Sequence, residues 1–593
     1  MSAAVEKLAL IRATLKQNSI DAYIIPLSDP HLGENIPDHW KIIPWLTGFT
    51  GSSATVVITD SFAGLWTDSR YFIQADIQLA GSGFDLVKPV SLTPPAFIGW
   101  LAENISPGSR IGFDSRILSI TVFRKLEKQL KERNITFICD CDLISEIWKD
   151  RPPMPSAKVW DHPVEYSGKD RSVKIAEVRA EMKKKSVDLH LITSADDIMW
   201  LLNIRGNDLL YSPLCISFAV VGEMQILLFV DESKIPVNIA REFDRLGIAL
   251  LPYGECAGML SSLSYGSSIL INPSVTSLAL YNSIPQRLRI IEDAGIASVL
   301  KSRKNKTEVE NISRVMVKDG VALAKFFHWI EQNRGQVTMT EQSVAKSLLE
   351  LRAQQEDYLG PSFSTIVAYN EHAALPHYAV TSESDSTFGE TGILLVDSGG
   401  QYRGGTTDIT RTISLDSPTQ KQKTDFTLVL KGHIALANAK FPLGTYGYQI
   451  DMLARKFLWE RGCDYGHGTG HGVGYCLNVH EGPQSISPAD NKRIIEAGML
   501  ISNEPGIYRE GEYGIRTENL VICYEDEETE FGHFLKFDTV SLCYIDKSLI
   551  DRSLLEKREI DWINSYHSEV YEKISPFLNQ EEKKWLKEKT ELF

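Results

Sequence analysis

Residues 465–483 read YGHGTGHGVGYCLNVHEGP. The run holds His467, His471 and His480, and glycine takes every second position from Gly466 to Gly474. No Lys-Ser or Lys-Thr follows the glycines, so it is not a phosphate-binding loop. Glycine permits positive φ and close approach of the backbone to a bound group. The pattern therefore suggests a histidine ligand presented at a crowded site, although a tight turn with incidental histidines would read the same in isolation.

Four acidic positions around the run decide between those readings. Upstream, the apolar run 393–396 ends in Asp397-Ser398-Gly399-Gly400, and Thr406-Thr407-Asp408-Ile409-Thr410-Arg411-Thr412 follows. Downstream, Met499–Asn503 leads into Glu504-Pro505-Gly506, and Gly514–Thr517 into Glu518-Asn519. Each acid lies in or at the end of a strand-like segment rich in β-branched or apolar residues. Asp397 and Asp408 flank a glycine-rich turn, and Glu504 and Glu518 flank a second turn at 509–514, so two hairpins can each gather a carboxylate pair. A carboxylate in such surroundings carries a desolvation cost unless a cation offsets it. Two carboxylate pairs with one histidine between them in sequence fit a binuclear metal site.

The ordered set Asp397, Asp408, His471, Glu504 and Glu518 resembles the five metal ligands of the pita-bread metallopeptidases, which include methionine aminopeptidase, prolidase and aminopeptidase P. The flanking text is similar to one branch. LPHY at 375–378, DSGGQYRGGTTDITRT at 397–412, HGTGHGVG at 467–474, NVHEGP at 478–483, EPGIY at 504–508 and GIRTENL at 514–520 resemble the long Xaa-Pro aminopeptidases. The resemblance covers nearly the whole chain and shows no ligand substitution. It implies an α/β (α+β) protein: two creatinase-N-terminal-like α/β domains, then a pita-bread catalytic domain with a binuclear metal centre.

Composition is compatible with this. The 593 residues are 43% hydrophobic and 23% charged, with 62 basic against 77 acidic residues and a net charge of −15. A balance that acidic argues against a generic nucleic-acid or anionic-membrane binder. The eight cysteines contain no CxxC and no dense framework, so they read as reduced thiols of a cytoplasmic protein. The N-terminal MSAAVEKLALIRATLKQ lacks a signal-peptide apolar core, and the apolar stretch 216–230 is interrupted by Glu223 and too short to span a bilayer.

Along the chain, residues 1–155 read as a first α/β domain, with Leu8, Ile11 and Leu15 on one face of an opening helix and strands near 21–25 and 54–59. The Pro-rich segment 151–156 is a linker. A second α/β domain, 156–303, repeats the first. Ser19-Ile20-Asp21-Ala22-Tyr23-Ile24-Ile25 resembles Ser186-Val187-Asp188-Leu189-His190-Leu191-Ile192, and Trp45–Phe49 corresponds to Trp200–Ile204. The basic stretch 301–306 reads as a solvated linker. The catalytic domain, 304–593, opens on an amphipathic helix traced by Ile312, Val315, Met316, Leu323, Phe326 and Ile330. It ends in a helical extension from about 547. There Ile560, Ile563, Val570 and Ile574 form a stripe that either packs on its own domain or joins two chains, and Glu581–Lys584 is a solvated face.

Four carboxylates and one imidazole suit hard or borderline ions, Mn²⁺ before Zn²⁺ or Co²⁺. Two such ions nearly balance the four negative charges, and a pair about 3.5–4 Å apart can share and acidify one water. The resemblance implies that Asp408 and Glu518 bridge both ions, that Asp397 completes one, and that His471 and Glu504 complete the other. It also implies that His377, His467 and His480 bind substrate and shuttle protons, that Tyr508 and Arg516 orient a ligand carboxylate, and that Arg70 approaches a neighbouring active site in an oligomer. His328, His372 and His433 read as structural. The expected function is a homodimeric aminopeptidase that removes the residue before an N-terminal proline. Alternatives are a prolidase restricted to Xaa-Pro dipeptides and, from a different class, an inactive peptide-binding relative.

Overall fold

The computed structural model describes residues 2–89, 95–264 and 266–593. The chain divides into two compact units: Met1–Asp161 with Lys169–Leu210 and Leu214–Ala297, and His162–Gly168 with Tyr211–Pro213 and Ser298–Phe593.

The first unit holds two six-stranded sheets. Strands β1 (Ala22–Pro26), β2 (Thr55–Thr59), β3 (Ala63–Trp66), β4 (Asp85–Val87), β5 (Arg110–Phe113) and β6 (Thr136–Ile138) run in the order β4-β3-β2-β1-β5-β6. Strands β7 (Leu189–Ile192), β8 (Phe218–Gly222), β9 (Ile226–Phe229), β10 (Ile248–Leu251), β11 (Ser268–Ile271) and β12 (Arg289–Glu292) run β10-β9-β8-β7-β11-β12. Corresponding neighbours pair with the same sense. The β1–β2 and β7–β8 pairs are antiparallel, and β1–β5 and β7–β11 parallel. The repeat extends to backbone detail. Ser19 and Ser186, before the matching strands, have φ of 54° and 53°. Helices α1 (Ala3–Gln17) and α2 (Ile42–Thr47) belong to the first copy and α3 (Ala195–Leu202) to the second. Gly48 caps α2 and Asn203 caps α3, both left-handed, the conformation that glycine and asparagine adopt at least cost. Leu8, Ile11 and Leu15 are the buried positions of α1. The apolar stretch at 216–230 is the β8–β9 hairpin. Among the described residues no helix is long and apolar enough to cross a membrane.

The second unit opens on α4 (Lys306–Asn333), started by a capping box of Asn305 and Glu308 that satisfies two otherwise unpaired backbone donors. All six apolar positions expected of it are buried. Three antiparallel strands follow: β13 (Ile366–Tyr369), β14 (Ile393–Ser398) and β15 (Ile409–Ser414), with β14 central. A six-stranded sheet comprises β16 (Lys440–Pro442), β17 (Gly470–Gly472), β18 (Glu481–Ile486), β19 (Leu500–Asn503), β22 (Asn519–Thr529) and β23 (Gly532–Thr539), ordered β16-β23-β22-β19-β17-β18. Between β19 and β22 lies a separate hairpin of β20 (Gly506–Arg509) and β21 (Tyr513–Arg516). Helix α5 (Gln420–Ala437) connects the two sheets along the chain, α6 (Gly447–Trp459) joins β16 to β17, and α7 (Lys557–Ile574) and α8 (Gln580–Lys589) close the chain.

One expectation is corrected in part here and one alternative is decided. The basic stretch is only partly solvated: Arg303 and Lys306 are exposed, but Lys301 and Lys304 are only 2% and 5% exposed. Their ammonium groups lie 3.3 and 2.7 Å from the buried carboxylate of Glu481, a long-range partner that charge patterning along the chain does not reveal. The tail stripe takes the first of its two alternatives and packs on its own domain. Ile563, Val570 and Ile574 join Phe326, Phe327 and Tyr544 in one core, while Ile560 is half-buried. The side chain of Tyr566 contributes a hydroxyl that accepts from Arg411 at 2.8 Å. The apolar stripe is satisfied within the chain, so it supplies no argument for a dimer. Ile563→Ala is expected to destabilise the unit by about 2–5 kcal/mol, the cost of an unfilled buried site. Denaturant unfolding checks it, and a change under about 0.5 kcal/mol would show the tail to be loosely docked.

Candidate metal centre

The β14–β15 ladder pairs Asp397 with Thr410 and ends one pair later at Ser398–Ile409, leaving Asp408 just beyond it. The β19–β22 ladder pairs Asn503 with Asn519, so Glu504 and Glu518 sit side by side where the strands part. His471 lies on β17, next to β19 in the sheet. Two ladder ends and one strand thus converge. Candidate donor atoms within 4.8 Å of one another form three overlapping groups: Asp397, Asp408 and Glu518; His471, Glu504 and Glu518; and Asp408, His471 and His480. Asp408 and Glu518 each belong to two groups, whereas Asp397 and Glu504 each belong to one.

The glycine run serves close approach. None of the five alternating glycines at 466–474 has φ in the left-handed region. A Cβ on Gly470 would lie 1.9 Å from the Ser502 carbonyl, and one on Gly472 would lie 2.3 Å from that of Glu481. The loop before β17 is gripped by the buried Arg455 of α6. It donates to Asp451 and to the carbonyls of Tyr465 and His467, and its guanidinium stacks 3.9 Å over the Tyr465 ring.

Hydrogen bonds select the histidine tautomers. His471 Nδ1–H donates to the Gly472 carbonyl at 3.0 Å, so Nε2 faces the acids, 3.5 Å from Asp408 and 3.4 Å from Glu504. His467 Nδ1–H donates to the Gly468 carbonyl, and its Nε2 accepts from the Tyr508 hydroxyl at 2.7 Å. Arg516 donates to that hydroxyl at 2.7 Å, to Thr410 Oγ1 at 3.1 Å and to Asp397 Oδ2 at 2.5 Å. An unbroken chain therefore runs from His467 through Tyr508 and Arg516 to Asp397. Burial, partly offset by Arg516, pushes Tyr508 up to about 12, so it acts as a hydroxyl.

The remaining sites divide. The ring of His480 lies 4.2 Å from that of His471, closer to the acids than its assignment to substrate alone implies. His377 is half-buried in the loop after residues 370–374. That loop is anchored through its neighbours, because Glu341 accepts from the Tyr378 hydroxyl at 2.7 Å and lies 2.9 Å from His372 Nδ1. Arg70, in the first unit, forms a two-pronged ion pair with Asp68 at 2.8 Å. His433, fully buried and lowered to about 3 by burial and then by Arg411, is neutral. It donates to the Asn503 carbonyl and accepts from Asn519 Nδ2, tying the residues beside Glu504 and Glu518.

Several supports were not expected. Thr410 donates to Glu518 Oε2 at 2.7 Å. Ser502 accepts from the His471 amide and donates to Glu504. Arg411 donates to the Glu518 carbonyl at 2.6 Å. Thr410 and Arg411 lie inside the DITRT text, the one signal that could have marked them; Ser502 carried none.

The donor set fits divalent cations. Burial, then its acidic neighbours Asp408, Glu504 and Asp397, drives Glu518 well above the carboxylate range. Asp397 and Glu504 are raised by burial despite Arg516 and His471 respectively. Asp397 Oδ1 is buried without a hydrogen bond, which a carboxylate oxygen tolerates only beside a positive charge.

Comparison with known proteins gives concordant results. Residues 310–525 match metallopeptidase family M24, and 533–593 match its C-terminal region. Residues 7–144 and 150–308 each match a creatinase/prolidase N-terminal domain. The chain is 38% identical to aminopeptidase P2 of Arabidopsis thaliana over 97% of its own length and 86% of the relative's. It is 38% identical to Xaa-Pro aminopeptidase 1 of Dictyostelium discoideum over 98% and 95%. The X-prolyl aminopeptidase of Caenorhabditis elegans, described as a cytosolic enzyme with a di-nuclear active site, superposes with a TM-score of 0.95 at 35% identity, covering all of both chains.

The electrostatics generate a pH prediction. In chelated protein, Asp397, Glu504 and Glu518 hold protons more tightly folded than unfolded. His471 does too, lifted to about 9 because Asp408 and Glu504 outweigh its burial. The native state then binds more protons than the unfolded one, so stability falls as pH rises through the raised values. The Tm of chelated protein should fall relative to metal-loaded protein from about pH 5 to about pH 9, and loading with Mn²⁺ at neutral pH should release protons. A constant Tm difference and no proton release would contradict this account.

Proposed function

The chain belongs to metallopeptidase family M24, and on that premise we propose that Asp397, Asp408, His471, Glu504 and Glu518 hold two divalent ions at the centre of its peptidase activity. It is a metal-dependent Xaa-Pro aminopeptidase, hydrolysing the bond before a proline in second position, with creatinase-like domains ahead of a pita-bread catalytic domain. The observation that supports the ligand assignment is the overlap of donor groups: Asp408, His471 and Glu518 each belong to two groups, Asp408 and Glu518 being the carboxylates among them, as bridging carboxylates would be, while Asp397 and Glu504 each belong to one. The domain reading 1–155, 156–303 and 304–593 is supported by the two equivalent sheets and by the family matches.

Bound there, two divalent ions would supply a water of lowered pKa and a Lewis-acid contact for the scissile carbonyl. The protein's own groups do the rest. Arg516 offsets the charge of Asp397 and keeps that carboxylate aimed. His467, with Nδ1 committed to a carbonyl, exchanges protons only through Nε2, which Tyr508 orients. His377 and His480 border the substrate. An Xaa-Pro bond is a tertiary amide without N–H and with φ fixed by the ring, so a pocket shaped to the ring has no need to recognise an amide proton. Arg70, paired with Asp68 in its own unit, is proposed to face a neighbouring chain's substrate.

The oxygen-rich donor set favours Mn²⁺. A cytoplasmic location is proposed from eight free cysteines and a homodimer from the family resemblance; light scattering at the mass of one 66.5 kDa chain would overturn the latter.

Metal analysis with turnover separates ligands from substrate groups. His471→Ala should lose metal and activity together, and Asp408→Ala should lose both ions. His467→Ala and His480→Ala should keep two ions per chain while losing turnover. Equal metal loss in all the histidine variants would show the assignment to be wrong, with His480 the position its closeness to His471 makes most sensitive.

Selectivity is tested by kcat/KM on Xaa-Pro-Yaa, Xaa-Ala-Yaa, acetylated Xaa-Pro-Yaa and the Xaa-Pro dipeptide. Replacing the ring should cost about 10–200-fold, acetylation should largely abolish cleavage, and longer peptides should remain substrates. Strong preference for the dipeptide would indicate a prolidase, and no cleavage with both metals bound a binding protein.

A further inference from the structure

Glu481 follows His480 directly and begins β18, where its backbone pairs with Gly472 of the His471 strand. Successive side chains of a strand point to opposite faces. Here His480 is exposed toward Asp408 and His471, whereas the Glu481 carboxylate is buried with none of its side chain accessible. Two buried cations serve that single carboxylate. Lys304 Nζ donates to Glu481 Oε1 at 2.7 Å and to the Lys301 carbonyl at 3.2 Å, and Lys301 Nζ lies 3.3 Å from Oε2. The lysines are themselves fixed. The Lys304 amide donates to the Gly498 carbonyl at 2.8 Å, and Arg303 bridges Met499, at the start of the strand that leads to Glu504. Gly498, at φ +86°, lets the two backbones meet: a Cβ there would lie 2.8 Å from the Lys304 carbonyl.

A buried charge trio is expensive to desolvate, and an apolar cluster of equal volume would often be as stable. What ion pairs add is a defined geometry. We propose that Lys301 and Lys304 are positioning residues for the peptidase reaction: by gripping Glu481 they set the place of the adjacent His480 imidazole beside the reacting centre. The proposal rests on the reading of His480 as a substrate-facing group. The lysines act through the one peptide step that joins Glu481 to His480.

A double-mutant cycle tests it. K304M should lower kcat on Xaa-Pro-Yaa by up to about 100-fold, the loss that a displacement near 1 Å can cause, with two metal ions per chain retained. K304R should recover most of the loss. In an H480A background, K304M should cost less than about twofold further, because the group it positions is already gone. Should K304M fail to fold, K301M and E481D carry the same cycle with a milder change. Equal fold-losses with and without His480 would overturn the proposal, as would unchanged kcat in the single variants or loss of metal from K304M, which would place the effect at the metal ligands. An H480A protein with wild-type turnover would instead refute the underlying reading of His480, and the proposal with it. A depressed H480A whose loss multiplies with K304M refutes the proposal alone.

Discussion

Four carboxylates forced together inside a protein are the constraint that organises this molecule. Their mutual repulsion and desolvation raise Asp397, Glu504 and Glu518 above the ordinary range, a cost that cations must offset. The backbone can impose such proximity because two antiparallel ladders end at the same place, one at Ser398–Ile409 and the other at Asn503–Asn519. Neither hairpin makes a site by itself. The glycines of β17 then bring His471 to both by letting its strand lie closer to Ser502 and Glu481 than any side chain would allow.

Around this centre, Asp397 and Glu518 are held by groups from distant parts of the chain, and Glu504 by a near neighbour that also ties it to His471. Arg516 aims Asp397, Thr410 donates to Glu518, and Ser502 bridges the His471 amide and Glu504. Arg411 carries the order further out: it donates to the Glu518 carbonyl and to Tyr566 of α7. The C-terminal helices are therefore part of the framework of the site. Their packing in the core with Phe326 and Phe327 follows from the same apolar stripe that looked, along the chain, equally suited to joining two subunits.

The difference between the misread lysines and the correctly read segments is physical. The core face of α1 and the opening face of α4 were legible because helical periodicity is local. The domain repeat was legible because both copies keep similar strand text, and the structure adds matching left-handed positions at Ser19 and Ser186 and at Gly48 and Asn203. Lys301 and Lys304 were not, because a lysine run is a solvated surface unless a carboxylate waits for it, and Glu481 lies far along the chain.

The sequence by itself pointed to the class of chemistry: four acids and one histidine in a fixed order, set in strand-like text with turn residues between them, suggest a binuclear metal site because a carboxylate there carries a desolvation cost unless a cation offsets it, and the resemblance of the flanking motifs implies the peptidase. It also determined the paired N-terminal domains and the helical tail. Only the tertiary structure decided which way each imidazole presents its nitrogen, since the Gly468 and Gly472 carbonyls choose the tautomers of His467 and His471. It alone brought Thr410, Ser502 and Arg411 to the acids, closed the tail onto its own core and buried the Lys301–Glu481–Lys304 cluster. Most of those contacts join residues far apart in sequence, and even the short-range ones, such as the bonds of His467 and His471 to the next carbonyl, depend on a backbone conformation that packing and charge compensation set and no local pattern encodes.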